Sequence, residues 1–420
     1  MKKSLSLTLL GLAVLSAACQ PQLTPANPST SSSASQASSA RIMTITSETS
    51  DPKLPKILVP GLALKVFAGS GKAGYKDGPK LEAEFKSIGD MTQDDQGNFY
   101  ISDYEDFRIR KIDTEGNVFT LAGTGKQVAN GKTGDFLQTE FDNPGLIIFK
   151  SPHSLLVQNS SVRLFLLNLN TQKSQLFIKE TEINPNPPYQ GNFQETSREL
   201  PLALGGSVSA ITLYNNAIYL GRESEIWKLT ETQGLYRFER HAGNAAVDPT
   251  GGSIDDPARN FKDGPADDSK FNYVTSMVFD KVGNMYVSDA GNHRIRKVES
   301  GTRHVSTLTG YVIPAPLTTS NRDFKGGFED GSLEKARFNG PSTLILDNEN
   351  LFIYDSGNQA LRIITQNQVH TLIQNCKCGG LVKEGRSLYV ADQKNLQIYT
   401  IDLSQLEKLK PQILKMETQS

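Results

Sequence analysis

Residues 102–111 read SDYEDFRIRK and residues 288–297 read SDAGNHRIRK, and the similarity extends well beyond these ten positions. Before the first stand Asp77-Gly78, Ala83, Phe85, Asp94, Gly97-Asn98 and Tyr100; after it come Gly116 and Thr120-Leu121-Ala122-Gly123. The second is framed alike by Asp263-Gly264, Phe271, Asp280, Gly283-Asn284, Tyr286, Gly301 and Thr307-Leu308. A looser copy keeps Asp330-Gly331, Ala336, Phe338, Asp347, Tyr354-Asp355, Asn358, Arg362 and Thr371-Leu372. Each copy holds four short apolar runs parted by Gly, Asn and Asp turns, the pattern of a four-stranded antiparallel unit.

That frame finds weaker copies at residues 146–178 and 208–238 and a shortened one after Gly380, which stops after its third strand. Six units result. The missing fourth strand has a match at the other end of the chain, where Leu62-Ala63-Leu64-Lys65-Val66-Phe67-Ala68-Gly69 resembles residues 118–123. A unit of this kind cannot bury both its faces without neighbours, and radial repetition with closure leaves few exposed edges. The reading is an all-β, six-bladed propeller over residues 57–402, with an N-terminal strand closing the last blade and a C-terminal tail, 403–420, that begins helically.

The combination of DG, GN-x-Y, SD, N-x-RIRK and TLAG resembles the NHL-repeat family of β-propellers, over about residues 60–402. If strands a to d run outward from the axis, b–c turns and d–a connections share one end of the ring. The long segments 183–200, 243–261 and 310–328 are all d–a connections, so loop length gathers there, and binding residues favour such loops. The candidate rim comprises Asp103, Arg108, Arg222, Asp289, His293, Arg294, Asp355 and Asp392, with Tyr189 in the first long loop. Asn159 and Arg222 stand where blades two and three lack the recurring aspartate. Recurrence itself favours a structural role, with Asp accepting backbone N–H groups of its own turn and arginine pairing with a carboxylate.

Six-bladed propellers related to gluconolactonases and peptide-amidating lyases hold a metal at the channel mouth, which the resemblance in fold makes the competing reading. Of five histidines only His293 falls in a b–c turn, and one imidazole makes no tetrahedral site. No cofactor is expected; Ca2+ is the ion that a ring of oxygen ligands would suit. Nucleophile-elbow, Walker and paired-cysteine metal patterns are absent. Cys376 and Cys378 are read as a local disulfide or two reduced thiols, not a redox centre.

The N-terminus speaks to location. Lys2 and Lys3, the apolar residues 5–15 and Ser16-Ala17-Ala18 before Cys19 resemble a bacterial lipoprotein signal, with Ser16 at the place where leucine is commonest. Cleavage of residues 1–18 would leave Cys19 as the lipidated first residue. Residues 19–56 are rich in Ser, Thr and Pro and read as a tether, some thirty residues of which reach roughly 30 Å as a flexible coil. Cleavage removes two lysines and no acid, leaving 42 basic against 45 acidic residues. With no basic stripe, nucleic acid is not an expected partner. The chain therefore reads as a lipid-anchored envelope protein, at the outer membrane where a cell has two, that recognises a protein, peptide or glycan through its loop-rich face. The alternative is a metal-dependent hydrolase or lyase.

Overall fold

The computed structural model describes residues 42–160, 163–178, 208–232, 235–244, 261–310, 326–406 and 408. Six antiparallel sheets, each of four main strands, form a six-bladed propeller. Blade one has strands a to d at Ile88–Gln93, Phe99–Asp103, Arg108–Ile112 and Asn117–Ala122. In blade two they are Ile147–Lys150, Ser154–Ser160, Arg163–Asn168 and Lys173–Ile178. Blade three uses Val208–Tyr214, Ala217–Arg222, Glu225–Thr232 and Leu235–Ala242. Blade four uses Val274–Phe279, Met285–Asp289, Arg294–Val298 and Val305–Thr309. Blade five runs through Pro341–Asp347, Asn350–Asp355, Ala360–Thr365 and Gln368–Gln374. Blade six supplies Cys378–Glu384, Ser387–Asp392 and Gln397–Asp402, and Ala63–Ala68 pairs antiparallel with the last of these as its strand d. The expected closure from the N-terminal side is thus present.

Strand a of every blade touches strand a of the next, and blade six touches blade one, so the ring is shut around its axis. Six apolar layers lie between adjacent blades; Phe85, Ile101 and Ile112 of blade one, for example, meet Ala391 and Ile398 of blade six. Side chains near the axis stitch the blades together. Asp90 Oδ2 accepts the Ile147 N–H at 3.1 Å, and Gln158 Nε2 donates to Val208 O at 2.5 Å. Ser209 Oγ donates to Val274 O, Ser276 Oγ accepts the Leu344 N–H, and Thr343 Oγ1 donates to Gly379 O, at 2.5, 3.0 and 2.9 Å.

Two glycines of the repeat have steric causes. In the a–b turns of blades one and four, Asp94 and Asp280 accept the amides of Asn98 and Asn284, and the intervening Gly97 and Gly283 sit at φ 91° and 92°, where a Cβ is strained. The glycine ending strand d recurs as Gly123, Gly243, Gly310 and Gly69, all at positive φ; a Cβ on Gly123 would lie 2.5 Å from Phe107 O.

The folded part begins earlier than residue 57. Thr44–Thr46 pairs with Ala63–Lys65 as a fifth strand on blade six, Lys56–Ile57 pairs with blade five, and Ile45 is fully buried beside Leu62 and Leu64. A three-residue strand with one apolar side chain carries too little periodicity to announce itself. Residues 403–406 are helical, as expected, with Leu403 and Leu406 packed into the same layer. Cys376 and Cys378 form a disulfide with Cα atoms 5.3 Å apart, and both are buried between blades five and six. No helix among the described residues is long and apolar enough to cross a membrane. Cys19 lies outside the described residues, as does most of the expected tether.

Candidate functional site

The aspartates ending strand b face inward. Asp103, Asp289, Asp355 and Asp392 are fully buried, and each accepts the backbone N–H of a residue just before its blade's strand a: Lys86 at 3.1 Å, Asn272 at 2.7 Å, Asn339 at 2.8 Å and Lys377 at 3.2 Å. Asn159 does the same in blade two, accepting from Asp142 N at 2.9 Å. Three of these aspartates also anchor an arginine from strand c. Arg296 bonds Asp289 at 2.6 Å and Asp263 at 2.5 Å, and donates to the carbonyls of Lys270 and Lys262. Arg110 joins Asp103 to Asp77, and Arg362 joins Asp355 to Asp330, through the matching carbonyls.

Each of these arginines is fully buried and has an aromatic ring on both sides: Tyr75 and Phe85, Phe261 and Phe271, or Phe328 and Phe338. The aspartate of the DG pair also accepts a strand d amide, as Asp263 does from Thr307 at 3.0 Å. The repeated DG, SD and R-x-R residues are one ionic staple holding the outer strands of a blade to its start. Desolvation pushes the carboxyls of Asp289 and Asp355 up, and the arginines and amides pull them down.

The remaining rim residues take related posts. Arg108 pairs with Asp106, lies 4.0 Å over the Tyr75 ring and donates to Thr124 O. Arg294 lies 3.8 Å over Phe261. His293 adopts a left-handed φ of 56°, and its Nδ1 accepts the Gly340 N–H, tying the blade-four turn to the start of blade five. Arg222 is buried at the end of strand b in blade three. Tyr189 lies outside the described residues, together with most of the three long connections. None of the eight described rim residues lines the central cavity. The four carboxylates do not fit a cation held at the channel mouth, because each is turned into its own blade. Among the described residues no group of three or more His, Cys, Asp or Glu side chains converges as a metal ion requires.

What the structure brings together is the channel itself, a cavity of about 1190 Å³ along the ring axis. Where the b–c turns lie, its mouth is formed by Tyr104 and Glu105 of blade one, Asn143 at the start of blade two, Tyr273 at the start of blade four and Gln393 of blade six. Just inside, the wall carries Gly89, Gly145, Ser209, Thr275 and Gly379, with Asp90 and Gln158 among them. Toward the far end it narrows in chemistry to Ile148, Val278, Ile345 and Val382, with Thr92 and Thr212 between them. Tyr104 and Tyr273 are 41% and 48% exposed, and Tyr273 is held at φ 65°, a conformation that a bulky residue adopts only under constraint.

Asp90 is the carboxylate set in this wall, and it has no arginine or lysine partner among the described residues. Desolvation pushes its carboxyl up to about 6 against two backbone amides, Ile147 and Met91, that pull it down. The folded state therefore holds more protons than the unfolded one between about pH 4 and pH 6, and stability falls as pH rises through that window. Asp90→Asn keeps an oxygen for the Ile147 N–H and removes the charge. Unfolding free energies from urea titration should be higher for Asp90→Asn than for wild type at pH 7.5, by about 1 kcal/mol since the channel leaves the group partly solvated, and equal at pH 3.5. The same pH profile in both proteins would show that the carboxyl is not desolvated.

The mouth residues escaped the sequence reading because they are the departures from the repeat. Where Tyr104-Glu105 stand, blade four has Ala290-Gly291 and blade five Ser356-Gly357; where Tyr273 stands, blades one, two, five and six have Ser87, Asn143, Gly340 and Lys377. Asp90 likewise occupies the position of Ser276, which makes the same bond to the next blade.

No family model matches the chain. Protein SUPPRESSOR OF QUENCHING 1, chloroplastic, of Arabidopsis thaliana is 24% identical over 311 residues, which cover 71% of this chain and 27% of that protein. The chain thus spans about a quarter of that relative's length. Among solved structures, an auxiliary nutrient binding protein from Bacteroides thetaiotaomicron superposes with a TM-score of 0.54 at 14% identity, covering 83% of this chain and 76% of that one. One from Bacteroides ovatus gives 0.53 at 14% identity, covering 81% and 76%. At this identity the likeness is one of fold.

Proposed function

We propose that the protein is a lipid-anchored binding propeller of NHL-repeat type, held in a bacterial envelope through Cys19, whose ligand enters the channel mouth. The observation that carries the binding reading is the channel: a roomy axial cavity with two exposed tyrosines at one end, on a scaffold whose repeated aspartates and buried arginines bond one another within each blade. Pockets that combine shape with a few well-placed polar groups are the default ligand sites of a fold. Two Bacteroides proteins of the same fold bear a binding role in their names, which is in keeping with this reading. The anchoring half rests on the residues before Cys19 alone.

Each half has its test. Cys19→Ser should lose labelled palmitate and move from the membrane to the soluble fraction. For binding, the immobilised full chain should retain a component of crosslinked envelope extract. Gln393→Trp, which places a large ring at the mouth, should reduce that retention at least tenfold, while Val282→Trp in the a–b turn of blade four, 73% exposed at the opposite end, should leave it unchanged. Equal retention by both variants would remove the mouth from the account.

A further inference from the structure

We infer that the channel mouth binds a neutral saccharide, an inference that rests on the reading of the mouth as the ligand site. Sugars present C–H faces and hydroxyl edges, so a saccharide site needs aromatic rings for the faces and short, uncharged donors and acceptors for the edges. The mouth has both. Tyr104 belongs to blade one and Tyr273 to blade four, which are opposite members of a six-membered ring, so the two exposed rings stand across the opening from each other. The same cavity is lined by the amides of Asn143, Gln158 and Gln393 and the hydroxyls of Thr275, Ser276 and Thr343; Gln158 and the hydroxyls also bond the next blade and keep lone pairs for a ligand's hydroxyls.

Charge argues for the same class. The charged residues lining the cavity are Asp90, Glu105, Asp142 and Lys383. Lys383 is spent on Asp347 at 2.9 Å near the far end, and Asp142 already accepts from Gln127, Asn130 and Asn143. That leaves Glu105 at the mouth and, in the wall, Asp90, whose Oδ2 also accepts the Ile147 N–H. Carboxylates repel a polyanion and accept hydroxyl hydrogen bonds strongly, and a carboxylate flanked by hydroxyls and an aromatic face suits a polyol better than a hydrocarbon. Gly89, Gly145 and Gly379 are glycines for a packing reason, since a Cβ would meet Ser102 Oγ at 2.6 Å, Gln158 Oε1 at 2.7 Å or Gln393 Nε2 at 2.8 Å, and they leave only backbone of these positions on the wall.

The full chain, solubilised and immobilised, is offered four probes: maltotetraose and tetra-N-acetylchitotetraose, both neutral, the cationic tetramer of glucosamine, and anionic tetragalacturonate. Retention of a neutral probe is expected, with Tyr104→Ala and Tyr273→Ala each weakening it about tenfold while circular dichroism and the urea midpoint stay as in wild type. Tyr104→Phe and Tyr273→Phe should keep most of the affinity, since the ring face makes the contact. Retention of the cationic or anionic tetramer alone would overturn the saccharide's neutrality. If no tetramer is retained but an envelope component held by the wild-type chain is still lost in Gln393→Trp, the saccharide inference falls and the mouth stands as a site. Should that component also ignore Gln393→Trp, the mouth falls with it.

Discussion

Arg296→Met lowers the stability of the propeller by about 3–5 kcal/mol, seen as a large fall in the urea midpoint. The arginine is fully buried, and its removal leaves Asp289 desolvated without its counter-ion, together with the carbonyls of Lys270 and Lys262 that it satisfied. Breaking a buried pair from one side has a cost of this size because a charge is left in low dielectric. Replacing both partners is a different matter, and the protein contains that experiment. In blade two the strand b position holds Asn159 and the strand c position Phe165, which packs against Phe141 with centroids 5.9 Å apart. Asp289→Asn combined with Arg296→Phe should therefore cost less than Arg296→Met alone, a coupling that a double-mutant cycle reads directly. A loss below about 1 kcal/mol for Arg296→Met would mean that the staple is not a structural element.

The second large effect concerns closure. Without residues 42–68, blade six keeps three strands and presents Gln397–Asp402 as an open edge, while Tyr399 and Ile401 lose the cover of Leu64 and Val66. Exposed strand edges template association, so the truncated chain should be recovered as aggregate or unfold without a cooperative transition. A milder change grades the same contact. Leu64→Ala, at a fully buried site, should cost about 2–5 kcal/mol. Adding a peptide of residues 58–70 to the truncated chain should restore cooperative unfolding, since the strand pairs through its backbone with Ile398, Tyr399 and Thr400. A truncated chain with the wild-type midpoint would show that the ring does not depend on this strand.

The fold could be read from the chain because each blade writes the same words. Gly97 and Gly283 are there for a positive φ, Gly123 and its equivalents for a close approach, and Asp103, Asp289 and Asp355 for a buried arginine. Even so, the sequence points first to Arg108 and Arg294, whereas the staples use Arg110 and Arg296. The two arginines of R-x-R lie on one face of strand c, and only packing decides which of them is covered by two rings. The site resisted for the opposite reason. Tyr104, Glu105, Asp90 and Tyr273 break the repeat, and a reading that weights recurrence passes over them. In this propeller the recurring aspartates hold the blades, and the residues that depart from the repeat at the same turns line the channel mouth.

The central claim is that ligand enters this end of the channel. Photo-crosslinking in living cells tests it at single residues, with benzoylphenylalanine in place of Tyr104, Tyr273 or, at the opposite end, Val282. The account predicts one shared adduct from positions 104 and 273 and none from 282. An adduct from 282 alone, or the same adduct from all three, would contradict it.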